Sequence, residues 1–195
     1  MLLLLLAQIS MGGKVLVVQD GFGNEASWLR GAGHSVTTIS SSSMNSKSTS
    51  YYLGFDALVI SDMSCSGPTT GSLNNINTAK GKWSPAMTGR LVIHTADPGC
   101  HSKSQFVINT VDWVIKGGAP GLVVTGDWGR VKMNFMSSFG SFSSVTQHQS
   151  NWTRNIPSHA IYSTPKALGT NYMKSWGNTT HSYLSAHPKG LDWKV

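Results

Sequence analysis

Lys14-Val15-Leu16-Val17-Val18-Gln19-Asp20 is an apolar, mostly β-branched run closed by an acid. Apolar residues at successive rather than alternate positions suit a strand buried on both faces, as in a parallel sheet covered by helices. The pattern recurs: Leu58-Val59-Ile60 precedes Asp62, Leu91-Val92-Ile93 precedes Asp97, and Leu122-Val123-Val124 precedes Asp127. Four of the eight acidic residues therefore follow strands directly. The loops at the carboxyl ends of parallel strands form the ligand crevice of such folds, so the sequence locates a crevice without showing that it is used.

Working outward, the spacing predicts strands at 14–19, 35–39, 56–61, 90–95 and 121–125, hence a flavodoxin-like, doubly wound α/β fold with a mainly parallel five-stranded sheet. Gly21-Phe22-Gly23-Asn24-Glu25-Ala26 fits the G-x-G-x-x-A dinucleotide fingerprint. The acid expected at the end of the second strand is missing, because Ile39 is followed by serines, so these glycines read as a tight turn opening the first helix. Seven of the residues 40–50 are serine, which predicts a mobile surface loop. Leu73, Ile76, Ala79 and Trp83 share one helical face. A further helix over 102–116 is predicted from the Ser102/Gln105 capping-box spacing, a buried stripe of Val107, Val111, Val114 and Ile115, and a Gly117-Gly118 stop.

Beyond Trp128 the alternation dissolves into Gly, Ser, Asn and aromatics, with short apolar pieces such as Ala160-Ile161-Tyr162. Residues 128–195 are read as an irregular C-terminal region folded back over the carboxyl edge of the sheet. Residues 1–12 are placed outside the fold: Leu2 to Leu6 with Ala7 resemble a truncated signal-peptide core but lack a preceding basic residue, and the run is far shorter than the ~20 residues a membrane span needs. Residues 13–195 form one domain, since 195 residues give one substantial core and are short for two.

Charged residues are only 12% of the chain, so the polar surface comes from Ser, Thr, Asn and Gly, as suits an extracellular or assembled surface. The net charge of +7 favours acidic partners, yet the basic residues are scattered from Lys14 to Lys194 and form no stripe with interleaved aromatics, so nucleic acid is not expected. Asn151-Trp152-Thr153 and Asn178-Thr179-Thr180 fit the N-glycosylation pattern. Cys65 and Cys100 are too few for a disulfide framework and lack metal-ligand spacing. Each follows a predicted strand at the same edge of the sheet, so the two thiols could bridge if those strands are neighbours, and a bridge would imply an oxidising compartment.

Lys14 to Val18, Phe55-Asp56-Ala57-Leu58-Val59-Ile60-Ser61-Asp62, Gly89-Arg90-Leu91-Val92-Ile93-His94-Thr95-Ala96-Asp97 with His101, then Trp113, Gly121-Leu122-Val123-Val124 and the closing Ser175-Trp176-Gly177-Asn178-Thr179-Thr180-His181-Ser182-Tyr183-Leu184 together resemble the class I glutamine amidotransferase-like superfamily, in its divergent secreted and surface members. The resemblance implies the flavodoxin-like sheet, and in catalytic members a Cys on a strand-to-helix elbow paired with a His and an acid. Cys100 lies in that region. The chain departs from the pattern in detail: Asp97-Pro98-Gly99 separate the strand from Cys100, His181 and His187 lack a following acid, and no acid occurs between Asp127 and Asp192.

Three constellations follow. Cys100 with His101 or His181 would make an activated thiolate, against which stands a structural or bridged cysteine. Asp20, Asp62, Asp97 and Asp127 with His101 offer ligands for a divalent cation if they converge, against which stands the habit of Asp to cap turns at this edge; no metal or other cofactor is expected. Trp128, Trp152 and Trp176 lead the aromatics of the C-terminal third, a contact surface for protein or carbohydrate, or else the packing of a region poor in Leu and Ile. The leading expectation is a non-catalytic surface or assembly module of an extracellular structure, envelope or virion, with protein partners or self-assembly and no membrane span. The alternative is a cysteine-dependent hydrolase or amidotransferase.

Overall fold

The structure, a computed structural model, describes residues 12–21, 23–61, 64–65, 69–126, 133–149, 158–169, 172, 180–186 and 188, with the backbone alone for 145–149 and 180–182. Its elements in chain order are β1 (Lys14–Val18), α1 (Glu25–Gly31), β2 (Ser35–Ile39), α2 (Ser41–Met44), α3 (Thr49–Leu53), β3 (Ala57–Ile60), α4 (Thr70–Thr78), α5 (Lys80–Trp83), β4 (Leu91–His94), α6 (Ser104–Ile115), β5 (Gly121–Thr125), β6 (Ser143–Gln149) and β7 (Thr180–Ala186). The first five strands form one parallel sheet in the order β2-β1-β3-β5-β4, which makes the fold flavodoxin-like α/β with its last two strands exchanged in position.

Register explains why the inner strand sequences are apolar nearly throughout. Leu16, Leu58, Leu122 and Leu91 stand in one cross-strand row, and Val17, Val59, Val123 and Val92 in the next. The leucine row faces Met44, Tyr52, Ile76 and Trp83 of α2 to α5, whereas the valine row faces Ala26 and Leu29 of α1 and Val107, Val111 and Val114 of α6. The two steps that move one way along the sheet, β1 to β2 and β4 to β5, carry α1 and α6 on one face. The two that move the other way carry α2 to α5 on the opposite face, as a uniform right-handed crossover requires. Close approach is part of the design: a Cβ at Gly121 would stand 2.3 Å from Val114 Cγ1, so only glycine lets α6 lie this near the start of β5.

The serine segment differs from the mobile loop expected of it. Ser40 and Ser48 each accept a hydrogen bond from the backbone N–H three residues on, and so cap α2 and α3. Met44 and Tyr52 then anchor the two short helices in the core, where the Tyr52 hydroxyl donates to the Met44 carbonyl at 2.8 Å. The capping box expected of Ser102 and Gln105 is also absent. Helix α6 starts at Ser104 without a side-chain cap from Lys103, and the Gln105 N–H is taken by the Tyr172 hydroxyl at 3.0 Å.

That hydroxyl comes from the C-terminal region, which docks in two places. Residues 133–142 and Leu184 pack with Trp83 and Met87 on the leucine face, through Phe135, Met136, Phe139 and Phe142. Residues 160–168 lie instead against the start of α6, where Ile161, Tyr162 and Leu168 meet Phe106 and Ala96. The antiparallel pair β6–β7 was not foreseen. Buried Asn109 is the polar pin of the second docking site, donating to the carbonyls of Ile161 at 2.8 Å and Lys166 at 2.7 Å while accepting from Gln105. Asn109→Ala is expected to cost about 2 kcal/mol by leaving those carbonyls unpaired and to raise amide exchange across 160–168. Unchanged exchange there would refute the pinning role.

Candidate functional site

The carboxyl edge of the sheet gathers Gln19 and Asp20 after β1, Cys65 after β3 and residues 95–101 after β4. After β1, Gly21 and Gly23 take positive φ, and the Gln19 side chain donates to the Gly23 carbonyl at 2.7 Å, which fixes the turn into α1. After β4, the Cys100 N–H donates to the Asp97 carbonyl at 3.0 Å and closes the Asp97-Pro98-Gly99-Cys100 turn, with Pro98 where its fixed φ suits the turn. A Cβ on Gly99 would stand 2.8 Å from Glu25 Oε1, so this turn is seated on the carboxylate that opens α1. Ser102 then adopts φ of 52°, turning the chain sharply into α6.

Cys65 and Cys100 are joined in a disulfide with Cα atoms 5.6 Å apart. The strands they follow are not neighbours, contrary to the condition set from the sequence, because β5 lies between β3 and β4. The bridge therefore joins residues that follow two strands separated by β5. Beneath the bridge, His101 Nε2 lies 3.2 Å from Oδ1 of the buried Asp97 carboxylate. The sulfurs of Cys65 and Cys100 and a carboxylate oxygen of Asp97 all fall within 4.8 Å of one another.

Asp20 has a different role. Its Oδ1 accepts from the Ser41 N–H at 2.7 Å, tying the end of β1 to the start of α2. Burial raises its carboxyl, but hydrogen bonds from the Ser41 and Ser72 hydroxyls and from the Ser41 amide more than offset this and leave it below the ordinary value. Asp20 therefore acts as a turn and helix anchor, while Asp97 belongs with His101. Asp62, Asp127, Trp128, Trp152 and Trp176 lie outside the described residues, and His181 is described only by its backbone in β7.

Two histidines deeper in the fold are structural. Thr110 Oγ1 donates to the Phe106 carbonyl at 2.8 Å, so its lone pair accepts from His94 Nε2 at 3.1 Å, and the His94 ring stacks on Phe106. His34 accepts from the Gly13 N–H and places Nε2 3.5 Å from Asp112. Burial pushes His94 down to about 3, and also lowers His34 against the opposing pull of Asp112. An unfolded imidazole titrates near 6.5. Between those values the unfolded chain binds a proton that folded His94 refuses, so stability falls as pH falls, by up to about 1.4 kcal/mol per pH unit. The melting temperature should drop between about pH 6 and about pH 5, less steeply in His94→Gln. A flat profile would refute a neutral buried ring.

Two concave regions lie away from this loop. A depression of about 270 Å³ at the ends of β1 and β2 is lined by Gln19, Gly21, Thr38, Ile39 and Ser40. A groove of about 480 Å³ between α1 and α6 is lined by Trp28, Gln105 and Ile108 among others. Neither includes Asp97, Cys100 or His101. Among the described residues, no helix is long and apolar enough to cross a membrane. No protein-family model, curated protein or solved structure matches the chain.

Sequence reasoning placed Asp97, Cys100 and His101 in one loop but missed Glu25, fully buried under that loop. The signal was its position just after a glycine turn at a helix start, which alone does not show what packs above it.

Proposed function

We propose that the chain is a non-catalytic surface or assembly module, extracellular or surface-associated, on a fold of the glutamine amidotransferase-like kind. The observation that carries this reading is the Cys65–Cys100 bridge, which engages the one sulfur the resemblance would make a nucleophile and ties it to a neighbouring loop. A structural bridge belongs to an oxidising compartment, and the low content of charged side chains, 12%, fits the same setting. Asp20 spends its carboxylate on anchoring α2, in keeping with a crevice whose polar groups hold loops rather than substrate. Partners would be other proteins, further copies of the chain or carbohydrate, met through the aromatic C-terminal third.

Intact mass under non-reducing conditions, followed by iodoacetamide at neutral pH, tests the proposal. The expected mass is lower by two hydrogens than that of the dithiol, with no alkylation until a reductant is added. Stoichiometric labelling of Cys100 in the unreduced chain would overturn it.

The Asp97–His101 contact supports a second reading, in which the His101 imidazole, oriented by a buried carboxylate, turns to activate Cys100 once the bridge is reduced, and the thiolate attacks an acyl substrate. Ester hydrolysis that appears on reduction and vanishes in Cys100→Ser would favour it over the module.

A further inference from the structure

The bridge spans a set of groups whose chemistry changes when it opens. Cys65 Sγ, Cys100 Sγ and an Asp97 oxygen lie within 4.8 Å of one another, and His101 Nε2 is 3.2 Å from Asp97 Oδ1. Two sulfurs and one carboxylate are donor types that hold zinc tetrahedrally with a water in the fourth position, and the imidazole stands against the carboxylate as the group that orients it. We infer that the reduced chain binds a zinc-like divalent cation through Cys65, Cys100 and Asp97, with the fourth position left to solvent and His101 orienting the Asp97 carboxylate, and that disulfide and metal are mutually exclusive states of the same site.

Four observations bring the groups to this arrangement. The Cα atoms of the cysteines are 5.6 Å apart, so opening the S–S bond lets the sulfurs separate by rotation to the about 3.8 Å that two thiolates at ~2.3 Å from one zinc require. Asp97 is held by backbone on both sides, since its carbonyl accepts from Cys100 N–H and the Ala96 carbonyl accepts from Gly126 N–H at 2.9 Å. Its carboxylate is buried, where a cation offsets the cost of desolvating the charge. Cys65 is exposed and Cys100 partly so, which gives the ion a way in. The change of state balances. Two electrons and two protons from a dithiol turn the bridge into two thiols, the dithiol leaves as its own disulfide, and the cation then displaces both thiol protons to solvent.

The test uses the full chain, reduced with a phosphine, desalted under nitrogen and titrated with Co²⁺ alone and then Zn²⁺ alone. The expected result is one equivalent of cobalt with a thiolate-to-metal charge-transfer band and the intense visible bands of tetrahedral cobalt, bleached by zinc. The oxidised chain should show neither. Cys65→Ser combined with Cys100→Ser should remove the charge-transfer band while leaving the circular dichroism folded. Asp97→Asn and His101→Ala should each weaken affinity by at least about tenfold. The inference is overturned if the reduced, folded chain gives no thiolate band, if both single variants bind as tightly as the parent, or if reduction unfolds the chain and the cation does not refold it. Because the module reading is tested on the oxidised chain by alkylation, failure of either leaves the other's outcome legible.

Discussion

Val111→Asp is expected to abolish folding. Val111 sits at the centre of the stripe that α6 lays on the valine face, fully buried among Val107, Val114, Val59 and Val123. The substitution removes an apolar side chain worth roughly 1.5–3 kcal/mol when buried. It also forces a carboxylate among the apolar side chains of that cluster, at a further cost of several kcal/mol. Together these approach the whole stability of an ordinary domain, about 5–15 kcal/mol. Circular dichroism and a denaturant titration check the outcome. A soluble variant with a cooperative transition near that of the parent would show that α6 does not pack as described.

Opening the Cys65–Cys100 bridge is expected to lower stability by roughly 4 kcal/mol, because the two cysteines are 35 residues apart and cross-linking a loop of that length restricts the unfolded chain by about this amount. The effect should appear as a lower denaturant midpoint in reductant, and Cys65→Ser combined with Cys100→Ser should reproduce it without reductant. Agreement between the two would assign the loss to the covalent link. A shift well under 1 kcal/mol in both would mean that the two loops are held together by other contacts.

How much of this was legible from the residues follows from what the residues do. The central strands β1, β3 and β5 were placed to within a residue or so because burial on both faces makes them apolar at nearly every position, and little else in a chain of this composition does so. The serine segment was misjudged because composition was weighed over individual positions. Ser40 and Ser48 cap, Met44 and Tyr52 anchor, and those four residues outweigh the other serines. The β6–β7 pair carries few apolar side chains and a register interrupted by bulges, so it offers no clean period to read. At the site, Asp97, Cys100 and His101 were legible because they share one loop after a strand. The meeting of Cys100 with Cys65, whose strands are not adjacent, and the seating of Gly99 on Glu25 depend on strand order and long-range packing that local sequence does not encode.

The exchanged order of the last two strands also sets a timetable for synthesis. Strand β1 lies between β2 and β3, and the three can pair as soon as they leave the ribosome, since folding proceeds from the N-terminal side. Strand β4 then emerges ahead of its partner, because among the described residues it pairs with β5, some thirty residues later by rough count. Until β5 slides into the slot between β3 and β4, the loops bearing Cys65 and Cys100 have no common platform. The bond between them is therefore a seal applied last, and its presence on a nascent chain dates the completion of the sheet. A chain halted at Lys116 should carry both cysteines open to alkylation, whereas one extended past Gly126 should close them.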